Sequence, residues 1–519
     1  LAVSGTSMWD GLNQVAVKFD YVATAGGLDR YRLVNPRTLG GIAPLGTSED
    51  VTGDASAVPE LLDAPIAVAF YENRLWFAGT DLRPRTMFGS RSPVPTTGAS
   101  RFDDFTGGTD ADHACFFSLA PVNGAVDYVA WAGGTTKYLL IGAFGGPFRV
   151  SGGGLDEPIT PSSINVRQLD SYGCAATMPA LNGSLAYYIQ RGGKTVRGIK
   201  YTADVDDFAS YDLCLNAEQI GDSELKRVVF QAGRPDALWV VRDDGQLCGC
   251  TIQGAERITG WHRHKIGGTA AKILDVAILP RPGLNDQIYV VTERTVGGVT
   301  RRAVEAMADE TVFPDIEDYF TGEANGATDA ATYRAAVDAL LLTAVHLDAY
   351  ETYNSTPATL IQGLHHLEGE TVSAVADGEL VEDLTVTNGA VTLPTAASVV
   401  HVGLPYDGYI QTQNLEMGGR SGPAQDKPRN ICAFNIRFLN SLGGEYGTDL
   451  YHMQSITDGL LDLNDGVAAP VFSGILRLQY SDNWSTETER NEKTVFIAQR
   501  RPFPCVVQFI DLEYATGDE

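Results

Sequence analysis

Residues 65–91 read PIAVAFYENRLWFAGTDLRPRTMFGSR. Two apolar runs, Ala67 to Phe70 and Leu75 to Ala78, flank the polar step Tyr71-Glu72-Asn73-Arg74. A Gly- and Pro-bearing turn with several arginines then leads to Met87-Phe88. Short runs rich in aromatic and branched residues, separated by turn formers, predict strands of an antiparallel sheet. The pattern recurs in DYVAWAGGTTKYLLIGAFGGPFRVSG (127–152), ATMPALNGSLAYYIQRGGKTVRGIKY (176–201), the stretch 225–252 and the stretch 273–306. The copies start roughly 45 to 60 residues apart, a blade-sized period. Their turns hold Asn182-Gly183, Gly192-Gly193, Asp244-Gly245 and Gly297-Gly298, residues that tolerate positive φ. The fold class predicted is all-β: an irregular β-propeller of about five to seven blades. A generic array of β-sandwiches is the other arrangement this spacing allows.

Around the repeat region, 61–308, four further segments are predicted. Residues 1–60 form a docking segment or extra strands. Residues 309–345 form an acidic insert with one helix, DAATYRAAVDALLLTAV, whose apolar positions recur at helical steps. Residues 346–427 form a small β-sandwich or barrel with turns at Asp377-Gly378 and Asn388-Gly389. Residues 428–519 form a C-terminal β segment that completes the propeller or builds a platform.

The 519 residues are 44% hydrophobic and carry a net charge of −27. That charge argues against a conventional nucleic-acid binder, which needs concentrated Lys and Arg. Seven scattered cysteines are too few for a disulfide framework and fit assembly in a reducing compartment. No apolar stretch of about 18 residues exists to span a membrane, and no signal peptide is visible.

Several clusters could carry chemistry. Asp103, Asp104, Asp110 and Asp112 stand beside His113. Paired carboxylates could cleave glycosides or hold Ca²⁺, but calcium-loop spacing is missing and an acidic surface turn is the plainer reading. Trp261-His262-Arg263-His264 puts two histidines on one strand face without a third metal ligand. Cys248-Gly249-Cys250 lacks the second pair of a zinc site. His365-His366 has no evident catalytic partner. The nucleophile elbow, the P-loop and the zinc-protease helix motif do not occur.

The ordered segments AFYENRLWFAGTDLRPRTMFGSR with RFDDF, LLIGAFGGPFRVSG with PITPSSINVRQLDSYGCA, DALWVVRDDGQLCGCTI with GWHRHKIGG, GLHHLEGETVSAVADGELVEDLTVTNGAVTLP with HVGLPY, and RRPFPCVVQFIDLEY together resemble one family. It comprises tail proteins of short-tailed bacteriophages, called tail tubular protein B, tail nozzle or stabilisation proteins. The resemblance covers about residues 65 to 516.

It implies a virion structural protein with no enzymatic activity, cofactor or metal. It implies a homohexameric ring at the distal end of the tail, below an adaptor protein, with tail fibres or spikes outside. Viral DNA would leave through the lumen without specific binding. Assembly would take place in the host bacterial cytoplasm. In so acidic a chain, Arg74, Arg83, Arg85 and Arg91 are candidates for contacts between subunits, as are Trp261, His262 and His264. The alternatives are a phage-borne glycan hydrolase using Asp103 to Asp112, and a receptor-binding module in the 346–405 region.

Overall fold

The computed structural model describes residues 18–25, 28–34, 65–80, 83–94, 96–120, 128–154, 157–202, 207–233, 235–253, 258–309, 332, 335–336, 339–413, 418–419, 422–423, 429–447, 450–451, 453–456, 472–479 and 494–516. Strand dominates them, as the sequence predicts. The chain divides into two compact units: Leu1–His264 with Leu274–Tyr289, and Lys265–Ile273 with Val290–Glu519. The division falls inside the span 61–308 predicted to hold the repeats. Most of the segment 1–60 and residues 310–331 of the acidic insert lie outside the described residues. Residues 332, 335–336 and 339–341 are helical.

In the first unit, a hairpin of β1 (Lys18–Ala25) and β2 (Leu28–Val34) precedes a series of antiparallel meanders. Sheet one is β3 (Ala67–Tyr71), β4 (Arg74–Ala78), β5 (Thr86–Gly89) and β6 (Cys115–Ser118). Sheet two is β7 (Val129–Gly134), β8 (Leu139–Ala143), β9 (Gly146–Ser151) and β10 (Asn165–Gln168). Sheet three is β11 (Ala180–Asn182), β12 (Leu185–Ile189), β13 (Val196–Thr202) and β14 (Asp207–Asp212). Sheet four is β15 (Leu225–Gln231), β16 (Asp236–Arg242), β17 (Leu247–Gln253) and β18 (Ile258–His264). Next along the chain, the strands β19 (Lys272–Leu279), β20 (Gln287–Val296) and β21 (Val299–Ala306) make a three-stranded sheet whose residues are divided between the two units. Each repeat read from the sequence thus falls in one blade-like sheet.

The opening stretch is the β3–β4 hairpin, with Tyr71 paired to Arg74 across a two-residue loop. Glu72 and Asn73 both have positive φ, 49° and 56°, the backbone that matches strand twist in tight hairpins. Glycine is the usual choice there. Glu72 instead spends its carboxylate on a tie, accepting the Ile159 N–H at 2.7 Å from the loop after β9.

The sheets pack face to face. Trp76, Met87 and Cys115 of sheet one share a core with Leu139, Ile141, Phe148 and Val150 of sheet two. The other face of sheet two, with Trp131 and Leu140, meets Ala186, Tyr188 and Ile199 of sheet three. Tyr187, Ile189 and Val196 on the far face of sheet three meet Leu225, Leu238, Val240 and Cys248 of sheet four. Successive residues of β8 and β12 therefore enter different cores, because side chains alternate along a strand. A strand buried on both faces reads as a continuous apolar run, as these do.

In the second unit, β22 (Asp348–Gln362), β23 (Thr371–Ala376), β24 (Glu379–Thr385) and β25 (Ala390–Leu404) form one sheet in the order β22-β25-β23-β24. It is an open sheet with β22 and β24 as its two edges, and not a closed barrel. Its tight turns are the two predicted, since Asp377, Gly378, Asn388 and Gly389 all have positive φ. Further on, Arg429–Ser441 lies between Phe472–Gln479 and Val506–Thr516, and Phe434, Ile436 and Phe438 enter a core there. No helix among the described residues is long and apolar enough to cross a membrane.

Candidate functional site

Sheet one brings together the most charged candidates of the sequence. Arg74, at the start of β4, is only 2% exposed. Its guanidinium donates to main-chain oxygens of Ser90 at 2.6 Å, His113 at 2.7 Å and Ala111 at 2.7 Å. It thereby ties the β5 end to the long loop before β6. Burial holds it below the ordinary arginine value. Arg74 is not available to a neighbouring subunit, and that expectation is corrected: all three acceptors lie within its own chain.

Around it runs an ion-pair network. Asp112 accepts from Arg91 at 2.6 Å and Arg101 at 2.7 Å, while Arg91 also lies 3.7 Å from Asp104. The bonds from Arg101 and Arg91 pull the Asp112 carboxyl down to about 2. Burial raises Asp104, but the Thr106 N–H and the arginines outweigh it and leave it below its ordinary value. The charge of Arg91 is thus matched inside sheet one. A glycosidase acid must hold its proton near neutral pH, and these two carboxyls are driven the other way. Asp103 is exposed.

Asp110, Asp112 and His113 offer ligand atoms within 4.8 Å of one another. The chemistry opposes a cation. Asp112 already faces two guanidinium groups, and His113 Nδ1 accepts the Asp110 N–H at 3.2 Å, which leaves the ring proton on Nε2. Gly108 permits this packing, since a Cβ there would lie 2.0 Å from His113 Nδ1.

Of the remaining arginines named from sequence, Arg85 is exposed. Arg83 is half-buried, and its Nη1 is buried with no hydrogen-bond partner.

On β18, the outer strand of sheet four, His262 Nδ1 and His264 Nε2 sit 2.7 Å apart and share one hydrogen bond. Trp239 packs against both rings. Burial pushes both imidazoles down, and His262 adds to the effect on His264, which falls to about 4. They are a neutral, half-buried pair. Trp261 faces the opposite side, donates to the Leu213 oxygen at 2.7 Å and packs on the core between sheets three and four. Cys248 and Cys250 are fully buried thiols in the same core, pushed up to about 11 and about 12 by burial. Metal ligation needs thiolate. His366 donates to the Ala349 oxygen at 2.8 Å, and the His365 ring lies against Gly389.

The second unit holds a site that sequence reasoning missed. Arg294 on β20 is 6% exposed and donates from Nε to the Gly267 oxygen at 2.8 Å. Its two terminal nitrogens engage both oxygens of Glu305 on β21. Thr292 accepts from Arg294 at 3.0 Å and donates to Glu305 at 2.8 Å. The Gly267 N–H donates to Asp348 at 2.7 Å. Burial raises the Asp348 carboxyl to about 6, against the opposing pull of the Gly267 N–H and Arg294. Burial, and then Asp348, raise the nearby Tyr406 phenol. A signal for this network does exist in the sequence. Along β20 the buried positions alternate through Val290, Thr292, Arg294 and Val296, so a polar pair occupies an apolar face. Such a pair is tolerated when it is fully bonded.

No protein-family model and no curated protein matches the chain. Solved structures that resemble it include human WBSCR16, with 11% identity over 45% of this chain and 62% of that one, at a TM-score of 0.29. A luciferin-regenerating enzyme matches with 14% identity over 43% of this chain and 82% of that one, at a TM-score of 0.19. The periplasmic gluconolactonase of Pseudomonas aeruginosa matches with 12% identity over 66% of this chain and 89% of that one, at a TM-score of 0.21. Two of these three are named as enzymes, so the expectation that the chain has no enzymatic activity is corrected and withdrawn. Likenesses this slight bring neither activity to this chain.

Proposed function

We propose that the chain is a tail nozzle subunit of a short-tailed bacteriophage, a virion protein that assembles as a homohexameric ring. The observation that carries the reading is the order of the resembling segments. The first three fall, in chain order, in blade-like sheets one, two and four, at β3–β5, β8–β10 and β16–β18. The ring would sit at the distal end of the tail, below an adaptor, with fibres or spikes attached outside and viral DNA passing through. A net charge of −27 per subunit supports a conduit that repels the DNA it conducts. A cyclic ring needs two different patches that meet. Arg85, exposed beside the half-buried Arg83, is a contact residue this reading retains.

The test is the mass and image of the purified full chain. Light scattering at six chain masses, with rings in electron micrographs, is the expected result. A chain that stays monomeric at high concentration and does not bind tails lacking this protein defeats the reading. Arg85→Ala should shift the ring towards monomer without altering the monomer's melting.

A further inference from the structure

The sheet β22-β25-β23-β24 keeps its main core on one face, where Val400 and Val402 of β25 meet Val372 and Ala374 of β23. Side chains alternate along a strand, so His401, between those two valines, turns to the other face. It is only 4% exposed. Its Nε2 lies 2.8 Å from the main-chain oxygen of Leu342, in the turn after the helical residues 339–341. On the edge strand β22, Thr352 pairs with His401 in register, and its Oγ1 lies 2.8 Å from Nδ1. A main-chain oxygen can only accept, so the ring carries its proton on Nε2 and leaves Nδ1 bare. The Thr352 hydroxyl must then donate to Nδ1, which leaves the lone pairs of Oγ1 for another partner. Thr352 itself is exposed. Tyr350 stands edge-on to the His401 ring, with centroids 6.5 Å apart. Packing and the Leu342 bond thus hold the imidazole in one orientation, with its basic nitrogen on an accessible hydroxyl.

We infer that Thr352 is a nucleophile activated by His401, and that it takes acyl groups from activated esters. The three parts that such catalysis needs are in place: an exposed hydroxyl, a base bonded to it, and a group that orients the base. Oγ1 attacks the ester carbonyl carbon, and its proton passes to Nδ1 while the Nε2 proton stays on the Leu342 oxygen. Collapse of the adduct breaks the bond to the leaving oxygen, which takes the proton from Nδ1 and departs as the alcohol. An acyl-threonine ester remains. Water attacks it in the same way, giving a proton to Nδ1, which returns it to Oγ1 as the carboxylic acid leaves. A main-chain oxygen supports the transient imidazolium less than a carboxylate does. Base assistance is worth about 10²–10⁴-fold, so a good leaving group must supply the rest. The substrate class is therefore aryl esters rather than alkyl esters or amides. The inference does not depend on the tail reading.

The test incubates the purified full chain with p-nitrophenyl acetate, quenches early and maps the acetyl group by tandem mass spectrometry. The expected result is acetyl on Thr352, formed with a matching burst of p-nitrophenol. Thr352→Val should abolish both, and Thr352→Ser, which keeps the hydroxyl and its bond, should restore them. His401→Gln should slow acetylation of Thr352 about 100-fold or more, with thermal melting as the check that the sheet is intact. If that variant melts early, the Val and Ser variants decide the matter alone. Acetyl confined to lysines, no acetyl on Thr352, or a burst that survives in Thr352→Val overturns the proposal. So does acetylation of Thr352 at the wild-type rate in a folded His401→Gln.

Discussion

Asp112 and Asp348 both lie near a buried or half-buried arginine, yet they move in opposite directions. Asp112 in sheet one falls to about 2, while Asp348 in the second unit rises to about 6. The difference lies first in burial, the leading influence on Asp348 and a minor one on Asp112, and then in what each arginine already holds. Arg91 and Arg101 turn guanidinium hydrogens directly on Asp112. Arg294 spends its fork on Glu305 and its Nε on a main-chain oxygen. Asp348 keeps one amide donor and pays the desolvation of its buried setting. Proximity to a cation is therefore a poor guide to a carboxyl, and the balance between burial and the hydrogen bonds directed at it decides the sign.

The sharpest way to break the sheet-one side of this contrast is to remove its central cation. Arg74→Met takes the guanidinium donor from three main-chain oxygens, one in a buried bond and two in half-buried ones. Each orphan costs about 1–3 kcal/mol, so a loss of about 4 kcal/mol is expected, read from chemical denaturation of the first unit. Hydrogen exchange should rise across residues 65–118 and stay unchanged in the second unit. Arg74→Lys should recover less than half, because a point ammonium cannot match three acceptors set for a planar fork. Full recovery by Lys would show that charge, and not the fork, holds the loop.

On the other side, Glu305→Leu strips Arg294 of its counter-ion. An uncompensated buried charge costs about 3 kcal/mol or more. The variant also sharpens the comparison, since it releases Arg294 and removes the repulsion between Glu305 and Asp348. The Asp348 carboxyl should then fall towards its ordinary value, measured by its carbon shift through a pH titration. An Asp348 that stays near 6 in this variant would mean burial alone sets it.

The pH dependence of the second unit follows. The folded-state value of Asp348 lies above the unfolded one, so the folded unit holds the extra proton between about pH 4 and 6. This contribution is fully present below pH 4 and is lost as pH rises through 6. The loss is on the order of 3 kcal/mol. Asp348→Asn should flatten that slope in denaturation curves from pH 4 to 7. An unchanged slope would assign it to another group.

What the sequence disclosed follows the same distinction between pattern and hydrogen-bond geometry. Runs such as Leu238-Trp239-Val240-Val241 and turns such as Asp377-Gly378 exposed strands and hairpins, because burial and positive φ leave residue-type signatures. The fourth strand of each sheet was far less legible. Asn165–Gln168 reads NVRQ and has no buried residue, and Cys115–Ser118 follows a long loop. The acidic cluster was visible as residues but not as a network. Arg74 bonds to oxygens of Ser90, Ala111 and His113, and main-chain acceptors carry no side-chain signature. Arg294, Glu305 and Asp348 meet through tertiary packing, which strand periodicity foretells only as a polar interruption on β20.

The smallest expected effect tests the sign on the sheet-one side. The folded value of Asp112 lies below the unfolded one, so its contribution is present above about pH 4 and is lost as pH falls through 2. The carboxylate is partly solvated, and Asp112→Asn should cost only about 1 kcal/mol at pH 7, since Asn still accepts from one guanidinium while the charge attraction is lost. Near pH 2 the variant and wild type should converge, because the wild-type carboxyl is then partly protonated and resembles the amide. Asp348→Asn should also match wild type near pH 4, but above 6 it should be the more stable of the two, the opposite sign to Asp112→Asn. If both variants were less stable than wild type at pH 7, the two sites would share one electrostatic cause, and the opposite shifts of the two carboxyls would not be what separates them.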